Sequence, residues 1–156
     1  MIRFLLVSLV VVLLDQASKY WVVDHFQEYQ VVRVWPVFNL TLVYNRGAAF
    51  SFLADAGGWQ HYLFVGLALL MSLVLIVWIV RIGTERRLEA WALSLILGGA
   101  VGNLIDRLVR GRVVDFLQWH WEAHYFPSFN LADAAISLGV GLMLLDWWLH
   151  TRKDKY

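Results

Sequence analysis

Two aspartates sit where aspartates are costly. Asp115 lies in Val113-Val114-Asp115-Phe116-Leu117, just after one apolar run. Asp133 lies in Phe129-Asn130-Leu131-Ala132-Asp133, at the start of the next. A carboxylate at the edge of a bilayer loses much of its hydration, so such residues mark function more often than packing. Two carboxylates that converge there cannot both ionise easily, and one keeps its proton near neutral pH. That state suits acid–base hydrolysis by a pair of aspartates.

The flanking residues bear on the two roles. Phe126-Pro127-Ser128 breaks the chain before the last apolar run, which places Asn130 as an N-cap and Asp133 at N3. Asp133 then satisfies helix-end amides, and the helix N-terminus favours its ionised form. Asp115, flanked by Val113, Val114, Phe116 and Leu117, becomes the protonated partner. Capping alone would also account for Asp133. The assignment of acid and base stays open, because coupled groups titrate as a pair.

The elements that must position these groups are membrane helices. Only 16% of the 156 residues are charged and 60% are hydrophobic, against about 25% charged in soluble domains. The expected class is an all-α membrane protein, a single domain over 1–156. Its four-transmembrane-helix bundle has spans at about 2–23, 62–80, 90–109 and 131–149, with a small β-rich surface segment between spans one and two. The second run, Tyr62 to Val80, has no charge in 19 residues. At about 1.5 Å per residue it reaches roughly 28 Å, close to the hydrocarbon thickness. The first run could pass for a signal peptide, but Asp15-Gln16-Ala17-Ser18-Lys19 is no small-x-small cleavage pattern, and an uncleaved span is expected. Trp21, Trp59, Trp78, Trp91, Trp147 and Trp148 fall at the span ends, where amphipathic rings prefer the headgroup level.

Between the first two spans, Val31–Trp35 and Phe38–Tyr44 are rich in β-branched and aromatic residues. Leu40, Leu42 and Tyr44 alternate with Thr41, Val43 and Asn45, which predicts a small sheet on the membrane surface. Such a sheet would serve as a platform for a lipid-borne substrate or as a simple cap on the bundle. The Gly57-Gly58 pair reads as a turn before the second span.

Most unusual polar residues share one side. Asp15 and Lys19 are four apart and meet one helical turn on. Asn103, Asp106 and Arg107 share a face, and Asp15–Lys19 and Asp106–Arg107 read as neutralising pairs that tie helices together. Gly98, Gly99 and Gly102 precede them and let another backbone approach closely. The opposite halves of the spans read as nearly featureless apart from Asp146. That asymmetry disfavours a proton-coupled carrier, which needs polar groups through the full thickness. A non-catalytic assembly factor is the other alternative.

The near-neutral net charge of +1 leaves no nucleic-acid footprint. Cysteine is absent, which excludes disulfides and thiolate chemistry in the chain. His120 and His124 stand at the i,i+4 spacing of a helical zinc site with Glu122 between them, but no third ligand is evident and no metal is expected. Seven basic residues lie on one side (Arg3, Arg81, Arg86, Arg87, Arg152, Lys153, Lys155). Six lie on the other (Lys19, Arg33, Arg46, Arg107, Arg110, Arg112), mostly inside polar clusters. The positive-inside rule then puts both termini in the cytoplasm.

Five ordered blocks carry a resemblance. They are Asp15-Gln16-Ala17-Ser18-Lys19, Tyr44-Asn45-Arg46-Gly47-Ala48-Ala49-Phe50-Ser51, Gly98 through Arg107, Gly111-Arg112-Val113-Val114-Asp115-Phe116, and Phe129-Asn130-Leu131-Ala132-Asp133. Together they resemble the bacterial lipoprotein signal peptidases, signal peptidase II, over nearly the whole chain. The resemblance implies an aspartyl endopeptidase of the bacterial cytoplasmic membrane that needs no cofactor. It would cleave prolipoproteins just before the diacylglyceryl-modified cysteine, as a monomer in membrane lipid, and be a target of globomycin. It puts the catalytic pair on Asp115 and Asp133, near the outer surface. Supporting or substrate-binding residues fall on Asp15, Lys19, Asn45, Gly47, Asn103, Asp106, Arg107, Asn130 and Ala132. The stretch from Asn45 to Phe50 would close over the site.

Overall fold

The computed structural model describes residues 2–47, 57–82 and 86–153, the last two of these without their side chains. Residues 48–56 lie outside the described residues. With them goes most of the stretch expected to close over the site. Lys155 also lies outside.

Among the described residues four helices carry the fold: α1 (Ile2–His25), α2 (Trp59–Ile82), α3 (Arg87–Arg110) and α4 (Leu131–Lys153). Each overruns its apolar run at one end or both, because backbone hydrogen bonding continues into the polar flanks. Three helices, α2, α3 and α4, are long and apolar enough to cross a membrane by length and composition. The fourth, α1, is as long as α2 but carries Arg3, Asp15, Lys19 and Asp24. All six tryptophans expected at span ends are exposed. Gly57 and Gly58, with φ of 82° and 101°, make the turn into α2, a conformation that costs glycine little.

The centre of the bundle is α3, which packs on the other three helices. Its glycines permit this. A Cβ on Gly99 would run into the Ala132 carbonyl of α4, and one on Gly102 would stand 2.6 Å from the Asp15 carboxylate of α1. Larger residues would push both neighbours away. One apolar cluster (Phe4, Leu75, Ile79, Ala90, Leu93, Leu97) joins α1, α2 and α3 at the far end. A second (Val22, Leu42, Val114, Phe116) seats the sheet on α1.

The sheet is larger than the surface segment expected between α1 and α2. Strands β1 (Val31–Trp35) and β2 (Phe38–Asn45) are continued by β3 (Val113–Trp121) and β4 (His124–Tyr125), antiparallel in the order β1-β2-β3-β4. Asp115 therefore sits within a strand. Gly111, with φ of 70°, ends α3 by donating to the Arg107 carbonyl, and the β-branched Val113 and Val114 then start β3. The expected alternation in β2 is broken by an irregularity between Leu40 and Val43. Thr41 is buried beside Leu42 as a result.

The helical premise for a zinc pair fails. His120 and His124 lie on the two arms of the β3–β4 hairpin, paired with Tyr125 and Trp121. Among the described residues no group of three potential ligands gathers.

Candidate active site

Asp115 reaches its place through the β2–β3 ladder. It pairs with Val43, which sets it diagonal to Asn45, and Asn45 Nδ2 donates to Asp115 Oδ2 at 3.2 Å. Phe129 then docks against β3, its amide donating to the Leu117 carbonyl at 2.9 Å and its carbonyl accepting from Phe116 and Leu117. That single bridge delivers Asn130 to Asp115. The buried Asn130 side chain donates to Asp115 Oδ1 at 2.7 Å and to the Val114 carbonyl at 3.2 Å.

Asn130 also begins α4, as its position before the apolar run suggested. The Asp133 amide donates to Asn130 Oδ1 at 2.9 Å, and the Asn130 amide donates to Asp133 Oδ2 at 3.3 Å. This reciprocal capping fixes the Asp133 rotamer. Asn103 of α3 donates to Asp133 Oδ1 at 2.8 Å. Both carboxyl groups thus face one cavity of about 570 Å³, held by amide side chains and a backbone amide. Among the described residues neither makes an ion pair.

The rest of the cavity is divided in character. Asn45, Asn103 and Arg107 line it beside the acids, and Trp119, Phe126, Pro127, Phe129 and Ile136 form an apolar wall. Arg107 is the one cation on the described wall. Its guanidinium donates to the Gly47 carbonyl at 3.2 Å and the Asn103 carbonyl at 3.3 Å. It also lies 5.5 Å from the centre of the Phe64 ring. Gly47 is held in turn by Asn45 Oδ1, which accepts from its amide at 2.9 Å. Burial pushes the Asp115 carboxyl up from 3.8 to about 7, and the Asp133 charge adds to the rise. The hydrogen bonds from Asn45 and Asn130 and the more distant Lys19 oppose it.

Behind the cavity lies a second polar centre. Lys19 is fully buried and spends its three ammonium protons on Asp15 Oδ2 at 2.8 Å, Asp106 Oδ2 at 2.8 Å and Asn103 Oδ1 at 2.9 Å. The two carboxylates it binds each grip the backbone just before one candidate catalytic aspartate. Asp15 Oδ1 accepts from the Ala132 amide at 2.9 Å, and Asp106 Oδ2 accepts from the Val114 amide at 3.1 Å. Ala132 is itself fully buried, packed where α4 crosses Gly99 and Gly102.

All eleven expected site residues therefore gather at one end of the bundle. Their pairing needs one correction. Asp106 does not neutralise Arg107. Its second partner is Arg110, at 2.7 Å, because adjacent helical residues point about 100° apart and i,i+4 residues face each other. Gln16, which adjoins Asp15, joins the same network without a chargeable group to mark it in the sequence. Its Nε2 donates to the Gly102 carbonyl at 3.0 Å and to Asp106 Oδ1 at 3.1 Å.

The opposite end is not featureless. Arg86 pairs with Glu89 at 2.7 Å and Asp146 at 3.0 Å, tying α3 to α4. Deeper, Ser8 donates to the Ser94 carbonyl at 2.8 Å between α1 and α3.

Comparison with known proteins identifies a family. Residues 7–149 match the family model described as signal peptidase (SPase) II. A lipoprotein signal peptidase of Cellvibrio japonicus is 53% identical over 95% of this chain and 87% of its own length. One from Pasteurella multocida is 52% identical over 93% and 88%. Among solved structures, a bacterial membrane enzyme determined at 2.3 Å resolution superposes with a TM-score of 0.85 at 28% identity, covering 97% of this chain and 90% of that one. A second, at 1.9 Å, gives 0.79 at 28% identity over 93% and 92%.

Proposed function

The chain belongs to the signal peptidase II family, which removes signal peptides from prolipoproteins, and from that premise we propose that it does so as an aspartyl endopeptidase with Asp115 and Asp133 as its catalytic pair. The family and the apolar helices make it a multi-pass protein of the inner membrane. The observation that carries the aspartyl reading is the meeting of two carboxyl groups on one cavity wall, held by amide groups alone.

The pair shares one proton. Asp133, at the N-terminus of α4 and accepting from Asn103 and the Asn130 amide, takes the ionised role. Asp115, raised to about 7 chiefly by burial, holds the proton. Asp133 takes a proton from a water molecule, whose oxygen adds to the scissile carbonyl carbon. Asp115 gives its proton to the carbonyl oxygen, so the tetrahedral intermediate is a neutral diol. Collapse returns one diol proton to Asp115, and the proton on Asp133 goes to the leaving nitrogen. The carbon–nitrogen bond breaks, and the pair ends as it began.

The remaining residues orient the substrate. Asn45 and Arg107 present donors to an extended backbone beside the acids, and Arg107 and Asn45 together fix Gly47 on the rim. Trp119, Phe126 and Phe129 offer an apolar wall for the diacylglyceryl cysteine. Lipid anchoring confines the scissile bond to the surface plane and shortens the search.

The topology that fits has four spans in one domain, with α1 crossing beside the other three. Both termini are cytoplasmic and the site is near the outer surface. Of the six basic residues on the site side, Lys19 and Arg110 are neutralised by Asp15 and Asp106, and Arg107 faces the cavity. The remaining count supports the orientation by the positive-inside rule. One chain supplies every residue of the site, so a monomer suffices.

The test is incubation of purified protein with a diacylglyceryl-modified prolipoprotein, comparing the wild type with Asp133→Asn. Cleavage before the modified cysteine by the wild type and none by the variant is expected. Substantial turnover by the variant would remove Asp133 from the pair.

A further inference from the structure

A second concavity, of about 660 Å³, opens at the same end of the bundle, between the end of β2, the end of α3 and the start of α2. Three arginines from two elements line it: Arg46 at the end of β2, and Arg110 and Arg112 around the C-terminus of α3. His61 and the Gly57-Gly58 turn close it at the start of α2. No acid lies among the described lining residues.

Among the described residues the charges nearby do not balance. Asp15 and Asp106 are opposed by Lys19 and Arg110, two carboxylates against two cations in one buried network. Arg46 and Arg112 are left over, with no ion pair among the described residues. Arg112 is not a free surface side chain. Its guanidinium lies 3.5 Å above the centre of the Tyr44 ring, a stack that fixes the plane of the fork. Arg46 is exposed, but its backbone is pinned between Asn45 and Gly47, both of which are hydrogen-bonded at the cavity. One stacked guanidinium, a second on a fixed stretch of backbone and Arg110 between them, beside a helix N-terminus, form a cradle for a tetrahedral anion.

The depth of the concavity tells where that anion would come from. Leu108 and Val109, 59% and 74% exposed, face outward just before Arg110. Tyr62, 78% exposed, follows directly on His61. The arginines begin where the lipid-facing side chains stop, at headgroup level. We propose that Arg46 and Arg112, with Arg110 and the start of α2, bind the phosphate of an anionic phospholipid headgroup. The chemistry recognised is a phosphate ester anion. The lipid, rather than free phosphate, supplies it because exposed Leu108, Val109 and Tyr62, one or two residues along the chain from lining residues, are placed to meet acyl chains.

The experiment is native mass spectrometry of the full-length protein released from micelles containing equal phosphatidylglycerol and phosphatidylcholine. The wild type should retain phosphatidylglycerol, and the Arg46→Gln/Arg112→Gln double variant about tenfold less. Arg33→Gln, an exposed arginine on β1 outside the concavity, should behave as wild type. Arg46→Lys/Arg112→Lys keeps both charges and should retain the lipid within a few-fold. Equal retention of the two lipids by the wild type would overturn the proposal, as would undiminished retention by the Gln variant. If the Lys variant loses lipid and helical circular dichroism alike, the arginines are structural and the proposal also fails. In lipid-free detergent, inorganic phosphate should not raise the melting temperature. A rise equal to that given by phosphatidylglycerol would reassign the site to a soluble anion.

Discussion

Two pairs of aspartates at one end of this bundle, Asp15 with Asp106 and Asp115 with Asp133, differ in what holds them, and the proposed function rests on that difference. Asp15 and Asp106 share the Lys19 ammonium, both at 2.8 Å and with all three side chains fully buried. Asp115 and Asp133 accept from asparagine amides and one backbone amide, and face a cavity. Asp15 and Asp106 are ion-paired, to Lys19 and, for Asp106, also to Arg110. A pair held by neutral donors must share a proton. The two sets are also mechanically linked, since Asp15 grips the amide before Asp133 and Asp106 grips the amide before Asp115. Asn103 joins them directly, accepting from Lys19 and donating to Asp133. On the proposed function the ion-paired set is a chassis, and the amide-held set is what it aims.

The sharpest division between the two sets is in turnover without loss of fold. Asp115→Asn and Asp133→Asn should each lower cleavage by about 10⁴-fold. Each should stay folded with a modest loss of stability, because the amide oxygen keeps one of the two accepted hydrogen bonds while the amide nitrogen cannot accept the other. Asp15→Asn, in the chassis, should reduce turnover without eliminating it. Complete loss by a folded Asp15→Asn protein would dissolve the distinction.

Lys19→Met attacks the chassis itself. It leaves Asp15 and Asp106 buried with too little positive charge, and Arg110 reaches only one of them. Removing one partner of a buried ion pair costs about 3–5 kcal/mol. Unfolding of detergent-solubilised protein should show a loss of that size, and activity should fall in step with the folded fraction. A stable Lys19→Met protein without activity would move Lys19 into the reacting site.

Asn103→Ala cuts the link and spares both pairs. Asp133 loses one fixed donor and Lys19 loses one of three partners. Turnover should fall by about 10²-fold, the scale of a displaced reacting group, and stability by about 1–3 kcal/mol. A fall in stability with no change in turnover would mean that Asp133 is aimed by its helix cap alone.

Much of this was legible because it is local. The i,i+4 spacing of Asp15 and Lys19 fixes their contact, and the asparagine three residues before Asp133 fixes the cap. Gly99 and Gly102 announce a close crossing, although not that Ala132 and Asp15 fill it. Long-range pairing was hidden. The Val113–Trp121 run carries strand-forming residues, but its partner β2 is some 70 residues earlier, and apolar content alone there reads equally as a helix end. Glu89 and Asp146 meet across a similar separation, joined by Arg86, which no periodicity relates. The Asp106–Arg107 reading failed on a rule that was available, since the helix turns about 100° per residue and Arg110 stands at the facing position.

The smallest effect separates the two sets by pH. Asp115 rises to about 7 in the folded protein from 3.8 in the unfolded chain, first through burial and then through Asp133. Between those values the folded state holds a proton that the unfolded state releases. Stability from this group is therefore fully present below pH 3.8 and is lost as pH climbs towards 7, at up to about 1.4 kcal/mol per pH unit. The Asn variant at position 115 has no proton to exchange, so the difference between it and the wild type should widen in its favour from pH 5 to pH 7 and stay level above. Chemical unfolding in detergent at pH 5, 7 and 8 measures this. On the proposed mechanism the same proton is needed for catalysis, so wild-type turnover should fall about tenfold per unit above pH 7. If Asp115→Asn follows the wild type at every pH, Asp115 has a counter-charge after all and belongs with Asp15 and Asp106.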